Sequence, residues 1–166
     1  MREAVLYDAG DHLGVMRRLL IDVVDTTVAI VLAVILSVLS SLISIWGPLI
    51  AWTVVWIAYF VLLKGSRFRT LGYVMAGARI VNFQGQRPSY LQLLGRVAFT
   101  VLGPVNFVVD LCWISSDPSR QALRDKFAHT FVIRKNAMPA GAGRIIYPTY
   151  MMFGWTLMFA EVQTSP

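Results

Sequence analysis

Arg18, Asp22 and Asp25 are spaced by four and then three residues, which places all three on one face of a helix. The chain then runs from Thr26 to Ile45 without a charge. Ionisable groups at membrane depth cost roughly 2.5 to 3.5 kcal/mol each unless they are paired or close to the interface. Three chemistries fit this face. Arg18 and Asp22 could form an interfacial ion pair while Asp25 reaches toward lipid headgroups. Asp25 could instead meet a basic partner from another segment, for which Arg96 is the candidate, and that pair would lock the two segments together. Or Asp25 could be a cation or proton site. Asp110 is a further acid inside an apolar stretch. Catalysis has no comparable support: His12 and His129 are far apart, no Ser, Thr or Cys has a base beside it, and no Gly-rich phosphate loop follows a strand. Cys112 is the lone cysteine, so neither an intrachain disulfide nor a zinc site can be built from it. His12, within Gly10-Asp11-His12-Leu13-Gly14, reads as part of an exposed N-terminal arm, and His129 as a hydrogen-bonded strand residue. No enzymatic activity, cofactor or metal is expected.

The elements that must hold these charges are set by composition. The 166 residues are 57% apolar, against a usual figure of roughly 45 to 50%, and 14% charged, against about 25%. A soluble globule of this size could not hide so much apolar surface, which excludes a disordered chain, a disulfide scaffold and most soluble enzymes. The net charge of +6 reads as membrane topology and contact with anionic lipid rather than as a nucleic-acid surface.

Residues 17–45 form a first transmembrane helix: the uncharged twenty from Thr26 to Ile45 alone span about 30 Å. Residues 1–16 precede it as a cytoplasmic arm. Trp46-Gly47-Pro48 makes a turn, and residues 48–63 form a second, shorter span that closes the hairpin at Lys64. Between Lys64 and Arg87 lie five basic residues and no acid, which puts this loop and the N-terminus in the cytoplasm. The third apolar segment, residues 90–114, contains Arg96 and Asp110 and is interrupted at Gly103-Pro104. Because the next loop is again basic, a segment broken at 103–104 that dips in and returns fits better than one crossing. Ala78 to Val81 and Thr130 to Ile133 are β-branched runs expected to pair as a small cytoplasmic ribbon. Residues 136–144 form a linker, and residues 145–166 an apolar tail, interfacial or packed on a partner as a helix, with a fourth crossing as the other reading. The expected fold is an all-α polytopic membrane protein: a helical hairpin, a broken third segment and this ribbon.

Arg18 and Asp25 at the start of the first helix, Thr70-Leu71-Gly72, Gly77-Ala78-Arg79-Ile80-Val81 with a Gly85 turn, Arg96, and Leu123-Arg124-Asp125-Lys126-Phe127-Ala128-His129-Thr130 follow one another in a fixed order. This succession, over residues 13 to 135, resembles the RDD family of small bacterial membrane proteins. The arginine and two aspartates of the family's name would fall on Arg18, Asp25 and Asp125. Tyr73 stands where the family usually has a basic residue, and His129 where a glycine usually precedes the threonine. The resemblance implies a bacterial inner-membrane location and, for some members, transport of ions or protons.

Two full spans and one broken segment are too few for a sealed pathway in one chain. The sequence therefore predicts a non-catalytic accessory or scaffolding subunit of a larger membrane complex, with a homo-oligomeric ion, proton or small-solute transporter as the alternative. The expected partners are the bilayer, with anionic lipids at the basic face, and other membrane subunits or a second copy of the chain.

Overall fold

A computed structural model describes residues 3–101, 104–117, 120–152 and 154–164. The longest element is α1 (Val15–Ser41), 27 residues and about 40 Å of helix. With a mean hydropathy of 2.5 over its span window, it is the one helix among the described residues both long and apolar enough to cross a membrane. Helix α2 (Gly47–Ile57) starts with Pro48 in its first turn, where the missing N–H costs nothing, and continues in π-helical form over Ala58–Leu63. The two helices form a hairpin in which Ala29 and Ala33 are fully buried against Val55 and Tyr59. Small residues four apart let the backbones approach closely. The opposite face of α1, including Val31, Val34, Ile35 and Val38, is exposed along its length.

The chain continues through α3 (Leu71–Met75), β2 (Ala78–Asn82), α4 (Tyr90–Val101), α5 (Pro104–Ser116), α6 (Leu123–Phe127) and β3 (Thr130–Arg134). Strands β2 and β3 pair antiparallel, with Ala78 opposite Arg134 and Asn82 opposite Thr130. Successive side chains alternate between the faces of this ribbon. Ile80 and Val132 join Leu13, Ile21, Tyr73 and Leu93 beneath the helices, whereas Val81, Phe131 and Ile133 pack with Ala4, Tyr7 and Phe83. Of the break expected at Gly103-Pro104, residues 102 and 103 lie outside the described residues. On either side of it α4 and α5 both pack on α6 and on each other.

The tail corrects the all-α expectation. It consists of β4 (Gly141–Ile146), β5 (Thr149–Met152), β6 (Trp155–Met158) and β7 (Glu161–Thr164). Strand β4 lies between β1 (Glu3–Leu6) and β7, and β5 pairs with β6 as a hairpin. The described residues are 53% helix and 20% strand in three sheets, with one long apolar helix among them, and do not form an all-α polytopic bundle. The reason lies in the punctuation of residues 145–160. Pro148 separates β4 from β5, and Gly154, at φ +79°, sits in the β5–β6 turn, so the apolar run is cut into pieces of strand length. The N-terminal arm is not free either. His12 and Leu13 are buried, His12 bridges to Ile133, and the Leu13 N–H donates to the Val132 carbonyl at 3.2 Å.

Candidate functional site

Of the charges singled out in the sequence, Arg18, Asp22, Arg96, Asp110 and Asp125 converge where α1, α4, α5 and α6 meet. Helix α6 is only five residues long, yet Arg124, Asp125 and Lys126 are all buried, because α4, α5 and β3 pack on it and Glu161 of the tail reaches Lys126. Asp125 is fully buried at its centre. One carboxylate oxygen accepts from Arg18 and the other from Arg96, and the backbone N–H of Ala122 donates to it at 3.3 Å. Burial alone would raise the Asp125 carboxyl, but the guanidiniums of Arg18, Arg96 and Arg124 hold it well below the usual carboxylate range. The arginines are themselves oriented: Arg18 donates to the carbonyls of Leu13 at 3.2 Å and Arg120 at 2.7 Å, and Arg96 donates to Thr130 Oγ1 at 2.7 Å.

Arg124 bridges two further acids. Its Nη2 lies 2.5 Å from Asp22 Oδ2 and its Nε 3.1 Å from Asp110 Oδ2. Burial opposes this charge, yet Asp22 and Asp110 outweigh it and keep the guanidinium above its ordinary value. Arg18, Arg96 and Arg124 thus balance Asp22, Asp110 and Asp125, three charges against three. Buried groups satisfied in this way fix one arrangement of the segments that carry them.

The pairing differs from both ion pairs the sequence proposed. Arg18 pairs with Asp125 rather than Asp22, and Arg96 also meets Asp125 rather than Asp25. Asp25 turns the other way, onto the start of α3. Its carboxylate accepts from the Gly72 N–H at 2.7 Å, the Thr70 hydroxyl at 2.5 Å and the Tyr59 hydroxyl at 3.2 Å. It thereby caps α3 from a different helix and supplies the acceptor that the first turn of α3 lacks. Gly72 is required by this approach, since a Cβ there would lie 2.6 Å from the Ile21 carbonyl oxygen and 2.7 Å from Asp25 Oδ1. Gly72→Ala should lower stability by about 1 to 3 kcal/mol through overpacking. Thermal unfolding in detergent measures it, with Gly10→Ala, which meets no atom within 4 Å, as the neutral comparison.

Sequence reasoning missed a second cluster. Lys126, fully buried, is paired with Asp117 at 2.6 Å and with Glu161 of β7, and Glu161 also accepts from the Tyr150 hydroxyl. Its ammonium lies 5.2 Å from the Tyr150 ring and 5.8 Å from that of Trp113. Burial opposes the charge, but the hydrogen bonds to Asp117 and Glu161 raise the lysine above its ordinary value. The only signal available was three successive charges ahead of a strand. His12 is a packing residue whose ring contacts Tyr7 and Phe131 edge-on, and burial and then Arg18 lower its pKa. His129 sits in the turn before β3 at φ +54°, the left-handed region in which a glycine is unstrained.

An open cleft of about 540 Å³ adjoins the network, with Asp22, Lys64, Arg96 and Arg124 on its polar side and Trp56 and Phe60 among its apolar residues. Among the described residues no cluster of His, Cys, Asp and Glu could hold a metal.

No curated protein and no solved structure matches the chain. The RDD family matches residues 13–129, which include both α1 acids, Arg96 and Asp125. That match and the apolar helix α1 together point to a membrane protein. With most of its length matched, the chain belongs to the RDD family.

Proposed function

We propose that this protein is a non-catalytic accessory or scaffolding subunit of a larger membrane complex, set as a multi-pass protein in the bacterial inner membrane with its N-terminus in the cytoplasm. The observation that carries this reading is the fate of the charges. Arg18, Asp22, Arg96, Asp110, Arg124 and Asp125 neutralise one another, Asp25 caps α3, and from Thr26 to Leu63 the hairpin has no charged residue. A transport route needs polar groups free to exchange an ion along its length. In this chain the ionisable groups hold the segments together and leave the distal hairpin apolar, with an exposed face suited to lipid or to helices of other subunits.

The competing function is homo-oligomeric transport of an ion, proton or small solute through the cleft beside Asp22. Purification in mild detergent followed by reconstitution separates the two. As a scaffold, the chain should carry unrelated membrane subunits at fixed stoichiometry through size exclusion. Val31→Trp with Ile35→Trp, on the exposed face of α1, should release them without changing thermal unfolding. Liposomes containing the purified chain should pass no ion. A monodisperse homo-oligomer with an ion flux that Asp22→Asn abolishes would overturn the proposal.

A further inference from the structure

The charge network is balanced, so the net +6 of the chain must reside elsewhere. Lys64, Arg67, Arg69, Arg79, Arg87 and Lys135 line one groove of about 310 Å³, with no acid on its walls. Among the described residues none of the six has a carboxylate within 4 Å. Lys64 turns its ammonium over the Phe60 and Tyr73 rings, toward the cleft beside Asp22. The other five cations, brought together without counter-charge, repel one another, which costs stability unless an anion is present to share.

Some of these side chains are held in place. Arg69 donates to the Ala78 carbonyl at 2.9 Å and Arg79 to that of Ala137 at 2.7 Å, while Arg79 Nε is buried without an acceptor. Arg69 is also held at φ +59°, a conformation a non-glycine residue adopts only at a cost, and such outliers gather at binding sites. Arg67, Arg87 and Lys135 are exposed, and their side chains make no hydrogen bond or ion pair among the described residues. They are free to close on a ligand.

The position of the groove selects the ligand. Lys64 follows directly on the apolar run of Gly47–Leu63, so the groove begins where the hydrocarbon would end. Phe68, between two of the arginines, is 80% exposed, and Leu71 and Met75 of α3 are exposed as well. Apolar side chains beside a basic groove at this level suit acyl chains next to a headgroup. The volume suits a small polyanion rather than a nucleic-acid duplex.

We infer that this groove is a binding site for a membrane lipid whose headgroup carries two phosphates, the fixed Arg69 and Arg79 and the free Arg67, Arg87 and Lys135 pairing with its oxygens. The inference rests on the membrane reading and names the lipid class that the basic face selects. Its test uses the full chain in nanodiscs of phosphatidylcholine alone, with phosphatidylglycerol, or with cardiolipin at matched headgroup charge. Retained lipid is counted by native mass spectrometry. Insertion into phosphatidylcholine alone tests the membrane reading separately. Cardiolipin should be retained in preference to phosphatidylglycerol. Arg67→Gln with Arg87→Gln and Lys135→Gln should weaken that retention on the order of a hundredfold while leaving thermal unfolding in phosphatidylcholine unchanged. Equal retention of the two lipids at equal charge would overturn the inference, as would cardiolipin retention that the triple variant keeps. Inorganic pyrophosphate supplies the remaining arm. If it binds the detergent-solubilised protein while cardiolipin is not retained, the groove serves a soluble phosphate and the lipid assignment is overturned.

Discussion

Asp125→Asn should lower the stability of the protein by about 3 to 5 kcal/mol, the cost of breaking a buried ion pair from one side. For a chain of this length that corresponds to a fall in melting temperature on the order of 10 °C. The size follows from what the substitution leaves behind. Asparagine has the shape of aspartate, so packing changes little, but Arg18 and Arg96, 2% and 5% exposed, both keep their charge against a neutral amide. Arg18→Gln should cost less, because Asp125 retains Arg96 and α1 keeps its packing through Ile21. A double-mutant cycle between Arg18 and Asp125 should return a coupling of about 1 to 3 kcal/mol. The dependence on pH has a defined sign. A carboxyl held below its ordinary range stabilises the fold fully above its unfolded pKa of about 3.9 and loses that contribution only as pH falls through the lower folded value. Titration of Asp125 itself should therefore add no pH dependence to the gap between wild type and Asp125→Asn from pH 8 to pH 5, and any slope there belongs to its neighbour Asp110. A melting temperature for Asp125→Asn within about 2 °C of wild type would show that the network is not what holds α1, α4 and α6 together.

How the network could be read in the sequence depends on which part is asked about. The helices α1 and α2 were legible because a long run without charge has few alternatives in any fold, and the β2–β3 pairing because two short β-branched runs each lacked a partner. The pairing of charges was not legible. Arg96 and Asp125 are 29 residues apart, and Arg18 and Asp125 107 apart, so nothing local distinguishes them from Arg96 with Asp25 or Arg18 with Asp22. Three arginines and several aspartates can be made neutral in more than one way, and the choice is made by α6, a helix too short to leave a periodic trace. The tail was misread for a related reason. Its composition is that of a membrane segment, and composition does not show whether Pro148 and Gly154 interrupt a helix or, as they do, divide strands. Once folded back, it supplies Glu161 to Lys126 and covers the ribbon through Ala160 and Val162. Lys126 thus takes one acid, Asp117, from within residues 13 to 135 and a second from the tail.

Asp25 separates a structural role from a transport role most sharply, because a cap ranks two variants that a transport site would not distinguish. As the cap of α3, its carboxylate serves three buried donors: the Gly72 N–H and the hydroxyls of Thr70 and Tyr59. Asp25→Ala removes every acceptor at once and should cost about 3 to 4 kcal/mol, less than the sum of three separate losses because a small cavity admits some relaxation or a water. Asp25→Asn keeps one oxygen for the Gly72 N–H and offers its amide N–H to Thr70, whose hydroxyl can turn from donor to acceptor. It should therefore melt within about 1 kcal/mol of wild type. A site that binds a cation or carries a proton would rank the variants differently, since asparagine cannot ionise and is as useless there as alanine. The measurement is thermal unfolding of both variants alongside ion flux in liposomes. Near-normal melting for Asp25→Asn with a severe loss for Asp25→Ala, and no flux in any of the three proteins, is the result the cap requires. A wild-type flux that both variants abolish equally, with melting unchanged in each, would assign Asp25 to transport and return the hairpin to the competing function.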